Sequence, residues 1–183
     1  MTFAKTIALT AVAALTAGSA FAMNPEVGGA KMYEDKNIIE NAVNSADHTT
    51  LVAAVKAAGL VETLSGEGPF TVFAPTNAAF AALPAGTVET LLKPENKAQL
   101  TKILTCHVVA ADAMSAVINQ MIEDDNGTHP VQTVGGCVFT AEKLGNNIVM
   151  RDENGGTATV TIADVDQSNG VIHVIDGVLL PKM

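Results

Sequence analysis

The chain has no tryptophan, one tyrosine and only two cysteines among its 183 residues. Two cysteines cannot build a cysteine-rich zinc site. The four histidines, His48, His107, His129 and His173, never lie three or four positions apart, and no His-Glu-x-x-His occurs. The spacing that puts two imidazoles on one helix face is therefore missing. Basic residues are scarce too, with 10 Lys and Arg against 19 Asp and Glu, a formal net charge of −9. That balance disfavours nucleic acid and bare anionic membrane as partners, and favours basic or cation-bridged ones. Long apolar runs are absent: Ile7–Ala17 is too short to span a bilayer as a permanent helix, and no second candidate follows. Met rather than cysteine stands directly after Ala22 and no apolar tail closes the chain, so a lipid anchor is not expected.

What is present at the start reads as an export signal. Lys5 supplies a positive beginning, Ile7–Ala17 the apolar stretch, and Ala20-Phe21-Ala22 a small-x-small cleavage site. Residues 1–22 are expected to be removed, leaving Met23 at the start of a soluble periplasmic or extracellular protein with no membrane span. Residues 23–36, with Pro25 and Gly28-Gly29 and no clear period, are predicted to be a mobile arm on which only Tyr33 offers an aromatic for docking. Residues 37–183 suit one domain with a single core.

Helical signals dominate the first half of that domain. Asn37–Asn44 places Ile38, Ile39, Ala42 and Val43 inward. Asp47, Thr49 or Thr50 is predicted to cap a helix burying Leu51, Val52 and Val55, and Gly59 suits its end. A partial turn is expected over Leu60–Leu64, and further helices over Thr87–Leu92 and Lys97–Thr105. Cys106–Val109 reads as a strand, and Asp112–Gln120 fits either helix or irregular chain. The second half is β-rich: Val131–Val134, Cys137–Ala141, Ile148–Arg151 and Thr157–Val165 are strand-like, with Asn146-Asn147 and Asn154-Gly155-Gly156 as turns. Alternation in Ala158–Ala163 puts Val160 and Ile162 on one face. Val171–Leu180 is apolar on both faces apart from His173 and Asp176, as in a central buried strand.

Gly68–Phe80 organises the whole. Thr71, Val72 and Phe73 form strand readily, and Pro75 ends it by lacking an N–H and biasing Ala74 away from helix. Thr76 then caps a helix running toward Pro84, with Asn77 at the same corner. No serine sits between glycines at this corner, so it is no nucleophile elbow, and no lysine follows a glycine run, so it is no phosphate loop. Gly68–Phe80 resembles the first signature box of the fasciclin domain. Leu104–Val109 resembles the family's central Tyr-His motif with Cys106 in place of Tyr, and Asn169–Pro181 resembles its closing box. The resemblance covers Asn37 to Pro181. It implies an α+β fold, a compact β-sandwich or wedge of short strands, with several helices mostly from the N-terminal half.

An even cysteine count in an exported chain favours a Cys106–Cys137 disulfide, with two buried thiols or a catalytic cysteine as the alternatives. Cys106 and His107 are neighbours in a predicted strand, so they would point to opposite faces and form no dyad. His107 and His173 lie in apolar strands and are expected to hydrogen-bond to backbone. His48 and His129 are expected in solvated loops. The acidic turns Glu123–Gly127 and Asp152–Gly155 lack the carboxylate pattern of a calcium loop and read as solvated turns. Asn126-Gly-Thr128 is a glycosylation sequon in one of them.

The resemblance implies a non-catalytic adhesion or protein-interaction module with no cofactor, meeting a cell-surface or extracellular protein or polysaccharide. A periplasmic carrier of a small ligand is the second reading and a hydrolase the third. The family's interaction motifs fall on His107 and on Asp164-Val165, which stands where an Asp-Ile pair precedes the closing box. Thr76, Asn77 and His173 are expected to be structural.

Overall fold

A computed structural model describes residues 24–182, so the expected signal segment and the expected cleavage point after Ala22 lie outside the described residues. The stretch expected as a mobile arm instead forms a hairpin of β1 (Glu26–Val27) and β2 (Ala30–Lys31), turning through Gly28 and Gly29. Val27 and Met32 are buried, and Asn41 holds Tyr33 by accepting from its N–H and donating to its carbonyl. Two-residue strands have no period to read, which is why the segment looked structureless.

Helix α1 (Ile38–Ala42) starts from a capping box made by Asn37 and Glu40. A 3-10 turn, Ala46–His48, leads into α2 (Thr49–Ala58), which ends at Gly59 in the left-handed conformation. Then come α3 (Val61–Ser65), β3 (Phe70–Pro75), α4 (Asn77–Ala81) and α5 (Thr87–Leu91). A second 3-10 turn, Pro94–Asn96, precedes α6 (Lys97–Cys106). Only the second half of the expected Cys106–Val109 strand forms: Cys106 closes α6, His107 ends it, and β4 (Val108–Val109) pairs. One more helical residue buries Cys106 one turn beyond Ile103.

The remainder is α7 (Ser115–Asp124) and five strands: β5 (Thr128–Gln132), β6 (Val138–Leu144), β7 (Asn147–Arg151), β8 (Thr157–Gln167) and β9 (Gly170–Ile175). One seven-stranded sheet runs β4-β3-β9-β8-β7-β6-β5, antiparallel throughout except for the central parallel pair β3–β9. Its two edges meet: Val134 N–H donates to Val108 O at 2.7 Å and Gly135 N–H to Thr105 O at 2.9 Å. The sheet is nearly closed on itself.

The parallel pair separates two cores. Val72, Ala74, Ile172 and Val174 face α1 to α6, packing on Leu51, Val55, Leu100 and Leu104. Phe73 and Ile175 face the other way, with Phe139, Met150 and Val160 of the meander and Ile118 and Ile122 of α7. The expected alternation in β8 fails here. Two register shifts, between Val160 and Ile162 and between Ile162 and Val165, turn Val160 toward one core and Ile162 and Val165 toward the other. Bulges re-aim side chains without any residue type that marks them in this stretch.

Candidate functional site

The corner after β3 forms as its residues require. The Thr76 hydroxyl accepts from Ala79 N–H at 3.2 Å, capping α4. Asn77 takes over a task expected of Asp47, Thr49 or Thr50. Its carbonyl accepts from Thr50 N–H at 3.0 Å and its amide donates to Ala46 O at 2.8 Å, so α2 is capped from another helix.

Cys106 and Cys137 are joined in a disulfide with Cα atoms 5.5 Å apart, closing a sequence separation of 31. Both are fully buried, and the bond ties the end of α6 to the residue before β6. His107 beside them is buried as well. Its Nδ1–H donates to Ile103 O at 2.9 Å and its Nε2 accepts from Leu179 N–H at 3.0 Å. Accepting at Nε2 requires the neutral ring, and burial pushes its pKa down to about 4. His173 is neutral for the same reason with the other tautomer: Nε2–H donates to Ala113 O at 2.8 Å and Nδ1 accepts from Asp164 N–H at 3.2 Å. Burial lowers its pKa too. His48, expected in a solvated loop, is also buried. It pairs with Ser45 through Nδ1 at 2.9 Å, while Nε2 has no hydrogen-bond partner among the described residues. His129 stays near the surface, 2.7 Å from Asp125.

The residues expected to meet a partner are placed differently from the expectation. Val165 has 0 % exposure and belongs to the helix-backed core, so it offers no surface. His107, at 2 %, offers almost none. Asp164 is partly exposed, but its carboxylate accepts from Ser115 N–H at 2.6 Å and Ser115 Oγ–H at 2.5 Å. The register shifts that buried Val165 also hold Asp164 at φ +57°.

The loop after Asp164 does reach a concave surface. An open cleft of about 920 Å³ is walled by Asp166 to Gly170 on one side and Ser65 to Pro69 on the other. Glu34, Asp35 and Asp112 complete it, so among the described residues five carboxylates including Glu67 and Asp166 line it, without one lysine or arginine. Two glycines let its walls approach. A Cβ on Gly68 would strike Asn169 O, and one on Gly170, at φ +148°, would strike the Phe70 backbone. Asn169 fastens the junction: it donates to Leu64 O and Gly66 O, each at 2.9 Å, and accepts from Ile38 N–H at 3.0 Å. Burial raises the Asp166 pKa, and Asp112 and Asp164 push it the same way. Sequence reading had no signal for this cleft, because its carboxylates come from four separate segments.

Chemically the cleft is an acidic recess without a nucleophile–base pair. Its serines, Ser65 and Ser168, have no histidine beside them in the lining. The buried histidines that could act as bases are bonded to main chain or to Ser45. Among the described residues no three His, Cys, Asp or Glu cluster as a metal would need, and no helix is long and apolar enough to cross a membrane.

Comparison with known proteins gives this architecture its place. The chain is 53% identical over 146 residues to Protein sll1483 of Synechocystis sp., covering 80% of this chain and 74% of that one. It is 35% identical over 167 residues to the cell surface glycolipoprotein MPB83 of Mycobacterium bovis, covering 87% and 68%. The fold is shared, with a TM-score of 0.54 at 24% identity, with a FAS1 domain pair from the insect cell adhesion molecule Fasciclin I. That alignment covers 71% of this chain but only 43% of the insect one. The fasciclin domain model matches residues 46–181, which take in the capped corner, the cysteine bridge and the central strand pair, and the chain belongs to the fasciclin domain family.

Proposed function

We propose that this protein is an exported, non-catalytic adhesion module that meets a basic or cation-bridged group of a cell-surface or extracellular protein or polysaccharide in its acidic cleft. The supporting observation is the joining of a fasciclin domain, the fold of an insect cell adhesion molecule, to a recess lined by five carboxylates and no cation. The cleft keeps part of the sequence expectation, since its wall is the loop that follows Asp164-Val165. It replaces Val165 and His107 as contact residues, because neither is exposed. The carrier reading has less support: two cavities walled almost wholly by apolar residues measure about 40 and 30 Å³, far below the roughly 300–1,000 Å³ of a small-molecule site, and a hollow of about 410 Å³ beside Leu91, Ile103 and Leu180 is an open surface groove with Gln99, Asn154 and Lys182 in its wall.

The test is a pull-down from envelope and surface extracts with residues 23–183, alongside a variant carrying E34Q, D35N, E67Q and D112N. We expect specific captures that weaken with salt, as exposed charge contacts do, and that the variant loses while melting as the wild type does. Equal capture by the folded variant moves the contact surface out of the cleft. No specific capture by either protein overturns the adhesion reading.

A further inference from the structure

Asp164 occupies an uncommon backbone state for a non-glycine residue, φ +57°, held from two sides. Its N–H donates to His173 Nδ1, and its carboxylate takes both the N–H and the hydroxyl of Ser115. Ser115 is the first residue of α7, and Met114 before it supplies no side-chain cap. Asp164 is therefore the N-terminal cap of α7, provided from β8 across the sheet. An anion suits that end of a helix.

We propose that Asp164 and His173 form an acid-released latch on α7: on gaining a proton, the His173 ring repels the Asp164 N–H and takes its carboxylate, which lets go of Ser115. The neutral ring is required by the bond it accepts at Nδ1. Its Nε2–H serves Ala113 O, leaving Nδ1 as the acceptor for Asp164. A proton arriving from solvent at Nδ1 places two donors head to head, at a site where they are now 3.2 Å apart. The Asp164 carboxylate, on the same residue, is then the anion best placed to pair with the new cation. Once its N–H bond is lost, only the register shifts of β8 keep Asp164 in the left-handed region, and the turn of its carboxylate toward the charged ring draws it away from α7.

The charged groups facing His173 are Asp164 and Asp166 from β8 and Asp112 from the loop before α7. β3 contributes the Phe73 ring, with centroids 5.6 Å apart, and no charge. The three carboxylates favour the protonated ring, and burial opposes it more strongly. The latch therefore holds at neutral pH and opens below the ordinary histidine range. Asp112 and Asp166 also line the acidic cleft, so release loosens one of its walls.

Amide hydrogen exchange on the mature chain from pH 7.5 to 5, corrected for intrinsic rates, reads the latch directly. We expect protection at Ser115 and Ile118 to fall tenfold or more while Ile148–Arg151 in β7 stays protected. The midpoint should coincide with the His173 ring titration seen by NMR. His173→Asn keeps an acceptor but no titrating ring, and should flatten the response. A constant α7 while His173 titrates overturns the latch, as does loss in step with β7. A midpoint following carboxylates rather than the ring overturns it too. If His173→Asn does not fold, the midpoint comparison in the wild type decides alone.

Discussion

The two cores on either side of the β3–β9 pair are closed by different means. The helix-backed core is covered by α1 to α6 and is apolar over most of its extent, with Leu51, Ala54, Val55, Leu100, Ile103 and Leu104 packed on the sheet. The meander core has one helix, α7, and its seams are fastened by single points. These are the disulfide, His107 bridging Ile103 to Leu179, His173 holding Asp164, and the buried Asp152 carboxylate accepting from Gly156 and Leu180. Area buried by regular helices spreads stability over many side chains. A strand meander with few covering helices depends instead on discrete bonds, each of which leaves a buried group unpaired when broken. Fasteners of the meander should therefore dominate the response to single substitutions and to pH.

The largest expected effect is loss of the bridge. Opening a disulfide with a sequence separation of 31 costs about 3–4 kcal/mol by loop-closure entropy. Cys106→Ser with Cys137→Ser should lower the denaturation midpoint accordingly and loosen α6 and β6 together. Non-reducing peptide mapping first checks the bond. Two alkylatable thiols in freshly exported protein, or a double mutant as stable as the wild type, would remove it from the fasteners.

Next comes the response to acid, carried largely by His107. Its folded pKa, about 4, lies below the ordinary histidine value of 6.5, so the folded state binds this proton more weakly than the unfolded one. The stabilisation is fully present above about 6.5 and is lost as pH falls toward 4. A shift of that size corresponds to roughly 3 kcal/mol. His48 and His173 are shifted in the same direction and add to the slope. Urea midpoints measured between pH 7.5 and 4 should fall, and His107→Gln should flatten part of that fall while lowering stability at neutral pH. An unchanged slope in a folded His107→Gln protein would assign the acid response elsewhere.

How legible each part was in the sequence follows the same division between local and distant causes. The Gly68–Phe80 corner was readable because Gly68, Pro75 and Thr76 each act on their own neighbours. The turn at Asn154-Gly155-Gly156 and the α+β class were readable likewise, and an even cysteine count with the expected export suggested the bridge that the structure contains. The course of α6 through Cys106 was not, because the short run Cys106–Val109 fits a strand as well as a helix end. Nor were the register shifts of β8, which follow from how that strand meets β9 rather than from its own residues. The cleft was the least accessible, since it exists only once β3 and β9 run parallel and bring Glu67 to Asp166.

The smallest effect lies on the helix-backed side, where a fastener is replaceable. Asn77 binds Thr50 N–H, Thr49 Oγ1–H and Ala46 O, which makes it the most connected polar group joining α4 to α2. Its surroundings are only half-buried, so water can reach the groups it leaves. Asn77→Ala should cost about 1 kcal/mol, in the range of an ordinary helix cap. Asn77→Asp keeps the acceptor for Thr50 and adds negative charge at the start of two helices, offsetting the lost bond to Ala46. It should be close to neutral. Denaturant midpoints rank the three proteins, and exchange at Thr50 localises the change. If Asn77→Ala costs as much as opening the disulfide, the helix-backed core also hangs on single bonds, and the contrast between the two cores disappears.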